Sequence, residues 1–174
     1  MKNVKFSKAA LALTVLVISG AACADDSGTG QLNVSATIAP ECTVAQNVAI
    51  NFSTLHLLDG AGQSTADEVA AGSVNAICTN GTPSPMFRYS SANSAFKLVG
   101  QSDNTKEIAY SLYQTNDATG TAVTYDQAVA HPDFVANGSV NTLNLSARIA
   151  YADKAGKSIQ TYNDTITVTT SFTL

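Results

Sequence analysis

Alternation of apolar and polar residues marks three well-separated stretches of this chain. Two long stretches lie near the carboxyl terminus, at 140–151 and 162–174, and a shorter one lies at 31–39. A period of two places alternate side chains on opposite faces of a β-strand, so each stretch predicts a strand with one buried face. Strand structure is therefore expected at both ends of the chain.

Shorter candidate strands fill the region between these stretches, and turn signals such as Asn80-Gly81 separate them. They are 42–52, 55–58, 73–79, 86–90, 96–99, 108–113 and 122–125. The stretches at 96–99 and 108–113 are predicted to pair as a hairpin, a turn is expected at 153–157, and Asp67–Ala71 is the one helical candidate. Many short strands separated by turns predict an all-β sandwich rather than a barrel or an α/β fold.

The first 24 residues have the pattern of a secretory signal peptide. Three lysines precede an apolar run at 9–18, and Ala22-Cys23-Ala24 fits the small-residue cleavage rule. The run is too short to cross a membrane, so we expect cleavage after Ala24 and no membrane span in the mature chain. The alternative is a lipoprotein with Cys23 as its lipidated amino terminus, although Gly20 stands where such signals carry a large apolar residue.

Removal of residues 1–24 leaves 150 residues with six basic and thirteen acidic side chains, a formal net charge of −7. The sequence has no basic run, so nucleic acid is not an expected partner. Two cysteines remain, Cys42 and Cys78, and such a pair in an oxidising compartment is expected to form a disulfide. The alternative is a metal site, but neither His56 nor His131 stands at ligand spacing from a cysteine.

The sequence offers no constellation of residues for catalysis. A nucleophile triad needs a positioned histidine, but His131 lies in a polar loop and His56 lies in an apolar run. The acidic pairs Asp25–Asp26 and Asp67–Glu68 are expected to be solvated. Gly60-Ala61-Gly62 is expected to be a turn, because no lysine follows it as in a phosphate-binding loop. No enzyme activity, metal or cofactor is predicted.

The two ends of the mature chain carry strands that are expected to complete each other between molecules. Residues 31–39 follow a Gly/Ser-rich lead, and their apolar face is Leu32, Val34, Ala36 and Ile38. The strand at 162–174 is expected to leave one edge uncovered, and an uncovered apolar edge can accept a strand from a neighbour. The alternative is that residues 31–39 form the first strand of a complete sandwich within their own chain.

Six stretches carry motifs that occur together in a fixed order. They are Thr29-Gly30-Gln31, Cys42-Thr43-Val44, Ile50-Asn51-Phe52-Ser53-Thr54-Leu55, Val74-Asn75-Ala76-Ile77-Cys78, Ile108-Ala109-Tyr110-Ser111-Leu112-Tyr113 and Tyr162-Asn163-Asp164-Thr165-Ile166-Thr167-Val168-Thr169. In these motifs the chain resembles the spore coat protein U domain family and, within it, the pilin subunits of archaic chaperone–usher pili. The resemblance extends over essentially the whole mature chain.

The resemblance implies an incomplete immunoglobulin-like β-sandwich that lacks its last strand. A periplasmic chaperone would first lend a strand, and an outer-membrane usher would then direct its exchange for the N-terminal extension of the next pilin subunit. On this chain, residues 25–40 are the implied donor extension and residues 41–174 the implied sandwich domain. The implied donor residues are Leu32, Val34, Ala36 and Ile38, and the implied acceptor groove is lined partly by Ile166, Val168 and Phe172.

The resemblance therefore predicts a structural subunit of a surface fimbria, exported to the periplasm and then displayed at the cell surface, with a role in adhesion or biofilm formation. One alternative is a secreted outer-layer protein of the spore-coat type that uses the same domain without an usher. Another is a small adhesin that recognises a surface or a sugar. Such adhesins usually carry an extra receptor domain and need no donor strand, whereas this chain has a candidate donor strand at 31–39.

Overall fold

The computed structural model of the protein describes residues 30–60 and 62–173. The predicted signal peptide, Cys23 and the Asp25–Asp26 pair lie outside these residues. The described part contains one helix, α1 (Tyr151–Lys154), and twelve strands. The strands are β1 (Cys42–Val48), β2 (Leu58–Asp59), β3 (Gly62–Gln63), β4 (Glu68–Cys78), β5 (Met86–Ser91), β6 (Lys97–Gly100), β7 (Glu107–Ala109), β8 (Ser111–Tyr113), β9 (Ala128–Val129), β10 (Asn141–Ile149), β11 (Tyr162–Asn163) and β12 (Ile166–Ser171).

The described strands pair in antiparallel sheets, and the predicted all-β sandwich is confirmed. One four-stranded sheet has the order β1-β4-β10-β8. Two three-stranded sheets have the orders β12-β5-β9 and β11-β6-β7, and β2 and β3 form a separate hairpin. The single turn of α1 is the longest helix that the described residues form, and it is far too short to reach across a bilayer.

Strand β10 shows how the alternating pattern builds the core. It pairs with β4 along its whole length, from Asn141 opposite Ala76 to Ile149 opposite Glu68. The predicted apolar face is buried, with Leu143 and Ile149 each 0% exposed. It packs against buried side chains of the other sheets, which are Phe87, Tyr89 and Ile108. The core therefore lies between the four-stranded sheet and the two three-stranded sheets.

The prediction of a helix at Asp67–Ala71 is wrong. This segment begins β4, where Ala71 lies opposite Ser146 and Glu68 lies opposite Ile149 of β10. Local preference favoured a helix, but pairing with a long central strand satisfies the backbone and buries Ala70. Position 72 also needs glycine, because a Cβ there would lie 2.7 Å from the carbonyl oxygen of Val48.

The hairpin predicted from 96–99 and 108–113 is confirmed only in its first half. Strands β6 and β7 pair with Leu98 opposite Ile108, but the chain then leaves this sheet at Tyr110. Strand β8 pairs instead with β10 in the opposite sheet, with Leu112 opposite Ala147. Alternation continues through 108–113, so the sequence carries no mark of this change of sheet.

Three smaller predictions are also corrected. Residues 122–125 form no strand, although the Val123 amide donates a hydrogen bond of 2.7 Å to the Leu112 carbonyl oxygen. Tyr151 and the first part of the predicted turn at 153–157 belong to α1. The predicted closing strand is divided into β11 and β12, because the side chain of Asp164 is bonded to other segments.

Candidate functional site

Two sheet edges lie side by side in this sandwich and leave a cleft between them. In the part of the chain that the structure describes, β1 pairs only with β4 and β12 pairs only with β5. The cleft between β1 and β12 has a volume of about 370 Å³. Both strands therefore direct an unpaired row of backbone N–H and C=O groups toward one site, which is the arrangement that binds an additional strand.

The lining of the cleft is mainly apolar. Its branched aliphatic side chains are Val44, Val48, Ile50, Val74, Ile166 and Val168. Ile166 and Val168 are only half-buried, whereas Phe87 and Tyr89 on the neighbouring strand β5 are each 0% exposed. The inward side chains of β12 are thus less buried than those of β5. Because burial of apolar side chains is favourable, a segment that covered them would stabilise the fold.

One wall of the cleft depends on a close approach of two backbone segments. The segment at 48–50 crosses β4 at Gly72, where a Cβ would lie 2.7 Å from the Val48 carbonyl oxygen and 2.9 Å from the Ile50 nitrogen. Glycine permits this approach because it has no side chain. Gly72 thereby brings Val48 and Ile50 to the rim of the cleft.

A network of hydrogen bonds centred on Asp164 closes one end of the cleft. The Asp164 carboxylate accepts bonds from the Ser91 hydroxyl at 2.7 Å, the Tyr110 hydroxyl at 2.6 Å and the Asn93 amide at 3.0 Å. Burial, together with the bond to Asp164, raises the pKa of Tyr110 far above its usual value. Asp164 and Thr165 line the cleft just before β12 begins, so this network determines where the open edge starts.

The cleft suits an extended segment with alternate apolar side chains. The backbone of such a segment can bond to an exposed edge, while every second side chain fills an apolar depression. The Cα atoms of β1 and β12 approach within 8 Å of each other. A strand bonded to both edges needs about 9.5 Å between them, so insertion along the full cleft requires the edges to separate at these points.

The predicted acceptor residues are only partly brought together. Ile166 and Val168 line the cleft, as noted above, while Phe172 lies beyond the end of β12 and is half-buried without lining the cavity. The opposite wall, formed by Val44, Ile50 and the floor residue Val74, was not predicted as part of the groove. Their alternation signals buried strand faces, but it does not say which strand lies across from them.

The predicted donor residues lie in a segment that belongs to none of the described ladders. The first strand of the structure begins at Cys42. Leu32 and Val34 are each 88% exposed, Ile38 is 82% exposed, and Ala36 is also exposed. The segment therefore carries large apolar side chains that are exposed to solvent.

The predicted disulfide is confirmed, and it anchors the root of this segment. Cys42 lies directly opposite Cys78 in the β1–β4 ladder, with a Cα–Cα distance of 4.1 Å. The next residue, Thr79, accepts a hydrogen bond from the Glu41 amide at 3.1 Å, and its own amide donates to the Glu41 carbonyl oxygen at 2.9 Å. The chain is thus fixed to the end of β4 from Glu41 onward.

His131 and the acidic pair Asp67–Glu68 occupy structural positions, whereas His56 is exposed. His131 is 4% exposed and packs edge-on against Phe87, while one ring nitrogen lies 3.0 Å from the Asn144 carbonyl oxygen. Asp67 accepts a bond from the Tyr151 amide, and Glu68 accepts one from Lys154, so this acidic pair is bonded rather than simply solvated. Among the described residues, no three His, Cys, Asp or Glu side chains come together as metal ligands.

Comparisons with known proteins give one family model and thirteen matching chains of solved structures. The family model of the Spore Coat Protein U domain matches residues 28–169. A chain from the structure of a chaperone–tip adhesin complex in CFA/I fimbriae biogenesis matches with a TM-score of 0.45 and 19% identity. The match covers 78% of this chain and 42% of that chain, so this chain spans less than half of its length. The search of curated proteins gave no match.

Proposed function

This chain belongs to the Spore Coat Protein U domain family, and from that premise we propose that it is a structural pilin subunit polymerised by donor-strand exchange. In this proposal, residues 31–39 of one subunit occupy the cleft between β1 and β12 of the next. The observation that carries the proposal is the cleft itself, because it joins two unpaired edges to a half-buried apolar lining. The exposed apolar face of Leu32, Val34 and Ile38 supplies a segment that fits it.

The energetics of this exchange are those of a folding step. Full burial of Leu32, Val34 and Ile38 would contribute roughly 5–9 kcal/mol before the cost of ordering the segment. That is comparable with the whole stability of an ordinary domain. A subunit with an empty cleft therefore lacks a large part of its core. A periplasmic chaperone that lends a strand would cover the cleft and hold its edges apart until an outer-membrane usher directs the exchange.

The proposal places the protein in the periplasm first and on the cell surface afterwards, as part of a fimbria that supports adhesion or biofilm formation. The family description supports a second candidate, a secreted outer-layer protein of the spore-coat type. Both are structural roles without catalysis. They differ in machinery, because only a fimbrial subunit needs a chaperone and an usher to reach its assembled state.

The direct test is to delete residues 25–39 and express the subunit with its chaperone and usher. We expect the shortened subunit to bind the chaperone and to fail to polymerise, since it retains the cleft and lacks the donor. Normal fibres from this deletion would contradict the proposal. Secretion and ordered assembly of the unaltered chain without an usher would favour the outer-layer candidate instead.

A synthetic peptide of residues 25–40 provides a sharper test of the same contact. We expect it to bind the shortened subunit and to raise its melting temperature. A Val34→Asp peptide should lose this effect, because it would place a charge in the apolar cleft. A Ser35→Asp peptide is the matched control and should bind, because the side chain of residue 35 lies on the opposite face of the strand. Equal binding of the two altered peptides would overturn the assignment of the apolar face.

A further inference from the structure

The segment that joins the donor residues to the sandwich is very short. The hydroxyl of Thr79 lies 3.5 Å from the carbonyl oxygen of Ala39, and Thr79 also holds Glu41 through two hydrogen bonds. The disulfide from Cys42 fixes the next residue. Ile38, the last donor residue, therefore lies three residues before Glu41, the first residue that these bonds hold, and consecutive Cα atoms are about 3.8 Å apart.

This short tether has a consequence for assembly that rests on the proposed function. If one copy binds Ile38 of another subunit in its cleft, the two subunits must lie close together. Four residue steps join Ile38 to Cys42, and a fully extended chain spans at most about 14 Å over that length. The end of the sandwich from which the extension leaves must therefore lie against the accepting copy.

An ordered surface with exposed apolar side chains surrounds this point of departure. The loop before β10 lies beside the loop after β4, where the Gly81 amide donates to the Ala136 carbonyl oxygen at 3.1 Å. Gly138 lines a shallow depression of about 220 Å³ together with Glu41 and Thr79. Val135 is 59% exposed and Val140 is 63% exposed on the same loop. We call Asn80, Val135, Gly138 and Val140 the root surface.

The root surface is held in shape before any partner arrives. The Asn141 side chain donates to the carbonyl oxygens of Val135 and Ser139, each at 2.9 Å, and accepts from the Val135 amide at 3.2 Å. Asn141 is also the first residue of β10, so these bonds tie the loop to the central strand. A contact made by a preorganised loop loses little conformational freedom on binding.

We propose that the root surface is the contact by which each subunit rests on the copy that accepts its donor strand. The occupant is a second copy of this chain, because the short tether places the accepting copy next to this surface. Val135 and Val140 would be buried in the contact. The tether and the root surface together would then restrict how far neighbouring subunits can bend.

The test uses fibres of the mature chain and follows hydrogen exchange of backbone amides. We expect amides at 79–82 and 135–141 to exchange roughly tenfold more slowly in fibres than in the chaperone-bound subunit, because contact with a partner suppresses local opening. The V135D/V140D double variant should form fibres that dissociate about tenfold faster, since interface changes act mainly on the dissociation rate. Leu58→Asp is the matched control, because Leu58 is 72% exposed on β2, outside the root surface.

The peptide of residues 25–40 separates this inference from the proposed function. The peptide carries no sandwich, so it should bind the double variant as tightly as the unaltered subunit. Unchanged exchange at 135–141 in fibres, or equal dissociation of the double variant and Leu58→Asp, would overturn the root contact and leave donor-strand exchange standing. If the peptide fails to bind the unaltered subunit and no fibres form, the proposed function and this inference both fail.

Discussion

The hydroxyl of Tyr110 donates a hydrogen bond of 2.6 Å to the carboxylate of Asp164. Tyr110 is the residue at which the chain leaves one sheet for the other, and Asp164 is the residue at which the closing strand divides. One bond therefore joins two irregularities of the sandwich. The two residues lie 54 positions apart in the sequence.

We expect Tyr110→Phe to lower the free energy of unfolding by about 1.5–3 kcal/mol, the usual contribution of a hydrogen bond to a charged group. Asp164→Ala should cost more, because it also removes the acceptor of the Ser91 hydroxyl and one of the acceptors of the Asn93 amide. Urea unfolding followed by fluorescence measures both values. Asp164→Asn is the matched control, since it keeps one acceptor oxygen. An Asp164→Ala subunit as stable as Asp164→Asn would show that the network contributes little.

Lys154 and Glu68 are expected to respond unequally to substitution. The Lys154 side chain is 1% exposed and its Nζ atom lies 2.7 Å from Oε1 of Glu68, whose side chain is 28% exposed. Glu68→Ala should cost roughly 3–5 kcal/mol because it leaves a buried ammonium group without a partner, whereas Lys154→Met should cost less because the carboxylate that it leaves is partly exposed to water. Thermal unfolding of both variants and the double variant forms the test. Equal losses for the two single variants would contradict this account.

Stability should fall on acidification because of His131. Burial lowers the pKa of His131 below its usual 6.5, despite opposing contributions from the bond to Asn144 and the charge of Asp133. Between the lowered pKa and 6.5 the unfolded chain binds the proton more readily, so this stabilisation is complete above about pH 6.5 and is lost below it. His131→Gln should flatten the pH dependence of the unfolding free energy between pH 7.5 and 5, the range in which a histidine changes its charge. The exposed His56→Gln variant is the control, and an unchanged slope in His131→Gln would argue against this source.

Gly72→Ala is expected to damage the cleft as well as the fold. The added Cβ would lie 2.7 Å from the Val48 carbonyl oxygen, so the segment at 48–50 must move away from β4. We expect a loss of roughly 1–3 kcal/mol in stability and weaker binding of the peptide of residues 25–40. Gly60→Ala is the matched control, because a Cβ there meets nothing within 4 Å. Peptide affinity equal to that of the control would mean that Gly72 does not shape the cleft.

Removal of the disulfide should destabilise the subunit without altering the cleft. The bond closes a loop with a sequence separation of 36, and constraint of the unfolded chain by such a loop contributes about 4 kcal/mol. We expect the Cys42→Ser/Cys78→Ser variant to unfold at a correspondingly lower urea concentration. Reduction of the unaltered subunit should give the same midpoint. A variant that unfolds at the midpoint of the oxidised subunit would contradict the prediction.

The pattern of neighbouring residues was enough to predict the class of fold and the buried face of the long strands. Alternation at 140–151 predicted one face of Leu143, Leu145, Ala147, Ile149 and Tyr151; the first four are buried, whereas Tyr151 begins α1 and is 48% exposed. The even cysteine count after the predicted cleavage indicated the bond between Cys42 and Cys78, and it is present. Alternation is a local feature that can be read from neighbouring residues. The disulfide could be predicted because only two cysteines remain after the predicted cleavage.

Only the tertiary structure decided which edges meet. The segment at 68–71 is a strand because β10 lies beside it, and the chain changes sheet at Tyr110 because Leu112 finds its partner in the opposite layer. The cleft exists because β1 and β12, at opposite ends of the sandwich domain's sequence, are edges on the same side. Pairing between distant strands depends on the backbone geometry of the whole domain, and the alternation within one strand carries no record of its partner.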